Sequence, residues 1–341
     1  MNDKKRKILI SGYYGKDNFG DEAILQTLTG KLKTSNCDIT VFSANPEKTS
    51  KLYSVNSVYS FNPFQCLYQI LRCDIFVSGG GSLLQDVTGI KSLIYYLLLI
   101  NFAIITGKEV VIFAQGLGPF LSKKGAFLVK YTLRRCKYIS VRDNKSRYLL
   151  RKWGVNADLV CDPFFDLPIP KRNSQNRVGI QLRKTKNLNI NYLKKLANFV
   201  VKNFSDKKIE IISCQDAFDL EVCRDFEKYL KDIDENLSTE IISNTPCEII
   251  KEIATLDYMI AMRFHAVLTA VRYGIPTLAL SYDMKVEKFA REFKIPCLQM
   301  KSTDNFELAF EQLKNVNSER LIELSESKKF DWSNLEKLIC T

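Results

Sequence analysis

Short apolar runs that end in glycine-rich or charged loops recur along this 341-residue chain, and each is followed by a helical period. That order allows few folds. A strand that leads through a loop into a helix, repeated many times, builds a parallel sheet with crossover helices. Lys7–Ser11 (KILIS) opens the series and runs into a glycine loop. Asp38–Ser43, Cys73–Ser78, Val110–Ala114, Tyr138–Val141 and Ala157–Val160 continue it. Between them, Asp21–Lys33 carries Ile24, Leu28 and Leu32 on one face, and Asn144–Trp153 reads as a helix that Gly154 ends.

A second series starts after Asp166–Asn176, a polar stretch with two prolines. Strands are expected at Arg177–Gln181, Lys208–Ser213, Glu240–Ile242, Asp257–Ala261 and Thr277–Leu280. Helices are expected at Ile190–Phe204, Ala217–Ile233, Pro246–Thr255 and Val286–Phe293, with a further one reaching Tyr273 and a mostly helical stretch over Asn305–Leu338. The fold class is therefore α/β, with two Rossmann-like domains facing a cleft: residues 1–168, a linker at 169–176, and residues 177–341. The length suits two cores better than one. Ligands of such sheets bind beyond the carboxyl ends of the strands, so the expected site is the inter-domain cleft.

Composition narrows the function. Fifty Lys and Arg face 38 Asp and Glu, a net charge of +12. The excess is scattered over pairs such as Lys123–Lys124, Arg134–Arg135 and Lys171–Arg172, with no basic tail and no nucleic-acid motif. A phosphorylated substrate or anionic lipid suits it better than DNA or RNA. Ten cysteines without a CxxC pair, and a single histidine, leave no metal site to expect. Scattered thiols fit a reducing cytoplasm. The N-terminal MNDKKRKILISGYYG has charge but lacks the apolar core of a signal peptide. The longest apolar run, Leu93–Thr106, falls short of the roughly 20 residues a bilayer span needs. It reads as a buried helix, with a helix lying against the membrane interface as the alternative.

Five clusters carry the chemistry, each directly after a strand. The first holds Gly12, Asn18 and Asp21. It lacks the GxGxxG spacing, and no acidic residue ends the second strand, which argues against a dinucleotide. Asp21 either favours the helix N-terminus or orients a sugar hydroxyl. The second is Gly79-Gly80-Gly81-Ser82 with Gln85; Gln115-Gly116-Leu117-Gly118 repeats the design after the next strand. Three glycines in a row mean that something comes close: a tight strand-to-helix contact, or, the expectation preferred, a substrate against the backbone. The third is Arg142-Asp143, a guanidinium fork suited to carboxylate or phosphate, or else an ion pair with a nearby acid. The fourth is Arg263-Phe264-His265, with the chain's one histidine at a strand end and helix start, beside an arginine. Both neighbours favour an anion there, and an anion would favour protonated His265. The fifth is Ser281-Tyr282-Asp283-Met284-Lys285, where a lysine at a helix start opposes the macrodipole unless an anion balances both.

In this order the clusters resemble the polysaccharide pyruvyltransferase family, in particular its bacterial cell-wall branch. The segments that carry the resemblance are 12–25, 78–86, 114–119, 140–143, 162–164, 262–266 and 281–286, from about residue 8 to 290. Phe264 stands where relatives often have Leu. The resemblance implies a GT-B-like fold, phosphoenolpyruvate as donor and a pyruvyl ketal on a saccharide as product. The acceptor is expected to be lipid-linked; in the best-known bacterial members it is an N-acetylmannosamine residue. It implies that Arg142, His265 and Lys285 hold the donor and that no metal or nucleotide cofactor enters the chemical step. Arg263, Phe264, Gly12, Asn18, Asp21, Gly80, Gly81, Gln85, Gln115 and Gly116 are the accompanying substrate-binding candidates. The expected location is the cytoplasm, with a peripheral position at the inner face of the membrane left open. Two other readings compete: a GT-B glycosyltransferase with a nucleotide-sugar donor, and a non-catalytic anion-binding protein.

Overall fold

A computed structural model describes residues 5–87, 89–185 and 187–340. The chain divides into two compact units, Met1–Leu167 with Lys329–Thr341, and Pro168–Lys328.

The first unit runs β1 (Lys7–Ser11), α1 (Phe19–Thr34), β2 (Asp38–Ser43), α2 (Pro46–Tyr53), β3 (Asn56–Tyr59), α3 (Pro63–Arg72) and β4 (Ile75–Ser78). It continues with α4 (Ile90–Ile105), β5 (Glu109–Gln115), α5 (Lys123–Leu133), β6 (Tyr138–Val141), α6 (Asn144–Lys152) and β7 (Asp158–Leu159). A 3-10 turn, Pro163–Asp166, closes it. The seven strands pair in parallel in the order β3-β2-β1-β4-β5-β6-β7.

Alternation along the strands makes two cores. Leu9, Phe76, Val110 and Ile112 face α3, α4 and α5. Ile8, Ile10, Ile75, Val77 and Val111 face the other way, toward α1. Strands apolar on both faces are what a sheet covered on both sides requires.

The second unit runs β8 (Arg177–Gln181), α7 (Ile190–Phe204), β9 (Lys208–Ile212), α8 (Asp216–Ile233), β10 (Thr239–Ile242), α9 (Pro246–Ile253) and β11 (Tyr258–Ala261). Then come α10 (Phe264–Arg272), β12 (Thr277–Leu280), α11 (Met284–Phe293), β13 (Cys297–Leu298), α12 (Phe306–Lys314) and α13 (Ser318–Glu326). Its six parallel strands lie in the order β10-β9-β8-β11-β12-β13. The order reverses between β1 and β4 in one sheet and between β8 and β11 in the other. At such switch points the loops splay apart and leave a crevice at the carboxyl ends.

Two boundaries differ from the expectation. The stretch 169–176, read as a linker, belongs to the second unit: the Asn173 and Gln175 amides donate to the Ala254 and Thr255 carbonyls, at 2.8 and 2.9 Å. The second domain also does not extend to residue 341. The last segment, including α14 (Ser333–Cys340), is part of the first unit. Phe330, Trp332, Leu335 and Ile339 are buried in the α1-side core, and Asp166 accepts from the Trp332 indole (2.6 Å) and the Phe330 amide (3.1 Å).

The helix expected at Leu93–Thr106 is α4. One face packs on the sheet through Leu93, Leu97, Ile100 and Ala103. No helix among the described residues is long and apolar enough to cross a membrane.

Candidate functional site

The site candidates fall on two sheet edges. Gly12, Asn18, Asp21, Gly80, Gly81, Gln85, Gln115, Gly116 and Arg142 follow strands of the first unit. Arg263, Phe264, His265 and Lys285 follow β11 and β12 of the second.

In the first unit the motif residues hold one another's loops. The Gln115 amide donates to Ser78 Oγ and the Gly79 carbonyl, both at 2.8 Å, and its side chain is fully buried. Asp86 accepts from the Leu121 and Ser122 amides at 2.6 and 2.8 Å. Asp143 caps α6 by accepting from the Ser146 amide and hydroxyl, and the Ser146 hydroxyl accepts from the Leu117 amide at 2.8 Å. Glu22 accepts from the Gly15 amide (2.6 Å) and the Tyr53 hydroxyl (2.7 Å), which pins the first glycine loop to α2. Burial raises the Glu22 pKa against these two bonds.

The side-chain space of the glycines is filled by the protein itself, the tight contact that stood as the alternative to a substrate against the backbone. A β-carbon at Gly79 would lie 1.9 Å from the Tyr14 hydroxyl, one at Gly80 2.7 Å from Ile24, and one at Gly81 2.5 Å from Asp21 Oδ1. Gly12 likewise faces the Tyr14 ring at 2.3 Å. Gly81 also has φ +100°, a conformation that an L side chain strains to adopt. Tyr14 was not among the sequence candidates. Among the described residues its buried hydroxyl has no hydrogen-bond partner, and burial, with the charges of Asp21 and Glu22, raises its pKa well above the usual range. Gln115 Oε1 is a second buried oxygen without a partner.

Arg142 ends β6 as expected. Its guanidinium pairs with Asp162 at 2.5 Å, and both side chains are largely buried. The ion-pair alternative is thus present, with Asp162 rather than Asp143, which serves as a cap.

The second unit carries the denser cationic edge. Arg263, the N-cap residue of α10, directs its guanidinium inward. It donates to both Asp219 oxygens at 2.7 Å, and Asp219 also accepts from the Cys214 and Gln215 amides. Gln181, at the end of β8, accepts from the Arg263 amide at 2.7 Å. Burial opposes the Arg263 charge, but the bonds and charge of Asp219 prevail and raise its pKa. Breaking such a buried pair costs about 3–5 kcal/mol. Arg263 was expected on the substrate; its geometry makes it the pillar that ties β8, α8 and the start of α10 together.

That pillar sets His265 in the first turn of α10, half-buried, with its ring edge-on to Phe264 at 5.1 Å. Phe264 packs in turn on Phe289 of α11 at 5.2 Å. Lys285 is exposed in the first turn of α11. Asp283 caps that helix by accepting from the Lys285 and Val286 amides at 2.8 and 3.0 Å. His265 and Lys285 therefore sit at the amino ends of two helices that leave adjacent parallel strands.

Arg183 is a residue that sequence reasoning missed. It lies two positions past β8, on the same edge and beside the switch point. It donates to the Tyr282 hydroxyl at 3.2 Å and stacks over that ring at 5.5 Å. Among the described residues no carboxylate pairs with it. The signal that would have found it is the rule that exposed the others, a cation directly after a buried strand.

Two α/β units, each built on a parallel sheet with basic side chains just past the carboxyl ends of its strands, define a GT-B-like protein. The fold likeness extends over the whole chain. Solved structures similar to it include Anabaena Alr3699/HepE in complex with UDP and glucose (10% identity, 98% of each chain, TM-score 0.62). The UDP-GlcNAc 2-epimerase of Neisseria meningitidis bound to UDP-GlcNAc is also similar (12% identity, 98% of each chain, TM-score 0.62). So is Acinetobacter baumannii MurG (12% identity, 98% and 99%, TM-score 0.54). At these identities the likeness is one of fold. No curated protein matches the chain by sequence. The model of the polysaccharide pyruvyl transferase family matches residues 18–284, and the chain belongs to that family.

Proposed function

We propose that this protein transfers the pyruvyl group of phosphoenolpyruvate to two hydroxyls of one sugar in a lipid-linked polysaccharide precursor. The product is a ketal, and inorganic phosphate is released. The observation that carries the reading is the edge of the second sheet. There the basic residues Arg183, His265 and Lys285 follow three neighbouring strands, and two of them start helices. A small donor with a carboxylate and a phosphate matches that density of charge. We extend the donor role to Arg142 of the first unit, with Asp162 holding its guanidinium in place.

In the proposed chemistry, protonated His265 gives its proton to the methylene carbon of the donor. The central carbon becomes cationic in character, and a sugar hydroxyl attacks it and loses its proton. A second hydroxyl then bonds to the same carbon and gives up its proton to the departing phosphate, which leaves with the electron pair of its C–O bond. General acid help of this kind contributes about 10²–10⁴-fold, and fixed cations add electrostatic stabilisation.

The competing reading is a glycosyltransferase. It is favoured by structural neighbours such as Anabaena HepE, solved with UDP and glucose. One experiment separates the two. The protein is supplied with phosphoenolpyruvate or with UDP-sugars, together with lipid-linked disaccharides, and phosphate release and product mass are followed. A mass gain of one pyruvyl ketal with stoichiometric phosphate supports the proposal. A glycosidic product from a UDP-sugar, with phosphoenolpyruvate untouched, overturns it.

A further inference from the structure

The outer surface of the α3, α4 and α5 layer is explained neither by the fold nor by the proposed reaction. Each of these helices buries one face on the sheet, through Cys66 and Ile70, through Leu93 and Ile100, and through Val129 and Leu133. A helix in that position normally turns a polar face to water. These three do not. Phe64, Leu98 and Phe127 stand outward at 83%, 65% and 65% exposure, one from each helix. Each belongs to a stripe at helical spacing, such as Ile94–Leu98–Ile105 on α4. The helices are neighbours, α3 beside α4 and α4 beside α5, so the stripes form one surface. On the opposite side of the same sheet, Leu52 is the one large apolar side chain exposed on α1 or α2 among the described residues.

The charge on this surface has one sign. The sequences of α3, α4 and α5 contain no Asp or Glu, but they contain Arg72, Lys91, Lys123, Lys124 and Lys130. The acids between residues 60 and 135 are Asp74, Asp86 and Glu109. Asp86 is buried on backbone amides, Asp74 accepts from the Lys7 amide, and Glu109 pairs with Arg6.

We infer that this face of the first unit docks on the surface of an anionic lipid bilayer. Apolar side chains that enter the headgroup region, beside lysines that meet lipid phosphates, are the recognised pattern of an interfacial surface. A second copy of the chain fits less well. A two-fold interface would set these lysines against themselves, with no acid on the face to balance them. Docking depends on neither the donor nor the acceptor, so a binding measurement tests it whether or not the proposed reaction holds.

The test sediments the full chain with vesicles of phosphatidylcholine containing about one-third phosphatidylglycerol, and with neutral phosphatidylcholine vesicles. The expected result is binding to the anionic vesicles that weakens with salt, and little to the neutral ones. Leu98→Asn/Phe127→Asn and Lys123→Glu/Lys124→Glu should each weaken binding at least about tenfold. Lys51→Glu on α2 should leave it unchanged. All three variants alter exposed positions, and thermal unfolding checks that they fold. Three results would overturn the inference: no wild-type binding to anionic vesicles, undiminished binding by both face variants, or an equal loss in the Lys51→Glu control. A solution dimer dissolved by Leu98→Asn/Phe127→Asn, without vesicle binding, would assign the face to a second copy instead.

Discussion

At the scale of the residue, the donor reading makes Arg183 a direct test. A charge-assisted hydrogen bond contributes about 1.5–3 kcal/mol, or roughly 10–100-fold in an equilibrium. Arg183→Ala should therefore raise KM for phosphoenolpyruvate by about that factor and leave the thermal midpoint near wild type, because among the described residues its guanidinium is held only by Tyr282, through one hydrogen bond and ring stacking. Steady-state kinetics decide it; an unchanged KM removes Arg183 from the donor site. Glu22 makes a prediction of a different kind. Its raised pKa means that the folded protein holds this proton more tightly than the unfolded chain does. The stability that the group contributes is complete below the ordinary carboxylate range and is lost as pH rises through the raised value. Gln at this position keeps an oxygen for the Gly15 amide and can donate to the Tyr53 hydroxyl. Glu22→Gln should thus be at least as stable as wild type near neutral pH, and the difference should shrink on acidification. Denaturant titrations at both ends of that range measure it, and a variant clearly weaker at neutral pH would contradict it. The sequence marked positions such as Arg142 and His265 by residue type alone. What it did not show is direction: Arg263 looks as available as Arg183 in the one-letter string, yet it turns inward, because its acidic partner lies 44 positions away.

At the scale of the element, a period of two and a period of 3.6 were enough for most of both sheets. Lys7–Ser11, Asp38–Ser43, Tyr138–Val141, Arg177–Gln181 and Thr277–Leu280 are strands with the expected ends, since buried parallel strands are short, mostly apolar runs that give way to polar, glycine or charged residues within a position or two. Residues 46–72 gave no such signal. β3 is an edge strand with exposed and half-buried residues and no buried apolar run, and α3 is a short helix whose apolar arc reaches past its buried positions, Cys66 and Ile70. The glycine loops were legible as places that exclude a β-carbon, but what excludes it is set by long-range packing. Gly81→Ala tests this. It meets Asp21 at 2.5 Å in addition to the cost of φ +100°, whereas Gly107→Ala, at φ +74°, meets nothing within 4 Å. Gly107→Ala should cost about 1 kcal/mol, the ordinary left-handed penalty. Gly81→Ala should cost at least about 2 kcal/mol, through strain and a displaced Asp21. Equal losses in thermal unfolding would mean that the loop relaxes freely and that the motif does not lock it.

At the scale of the whole molecule, two units were foreseeable from the repeated strand-helix order, but the return of the chain to the first unit was not. Helical periodicity near the C-terminus says that α14 buries a face and is silent on which sheet receives it. The answer lies in Asp166 and Phe113. Asp166 accepts from two backbone and side-chain donors of Phe330 and Trp332, and the Phe113 ring meets theirs at 5.1 and 5.6 Å. Four buried side chains, Phe330, Trp332, Leu335 and Ile339, thus complete a core whose other members lie more than 150 positions earlier. At about 1.5–3 kcal/mol each they contribute about 6–12 kcal/mol, the same scale as the whole stability of a domain, about 5–15 kcal/mol. A chain ending at Lys328 should therefore lose the first unit and keep the second. Fluorescence can separate the two, because both tryptophans, Trp153 and Trp332, belong to the first unit. In the shortened chain Trp153 should report no cooperative transition in urea, while far-UV circular dichroism retains one from the second unit. If Trp153 instead unfolds cooperatively at the full-length midpoint, the C-terminal segment is an ornament on an already complete core.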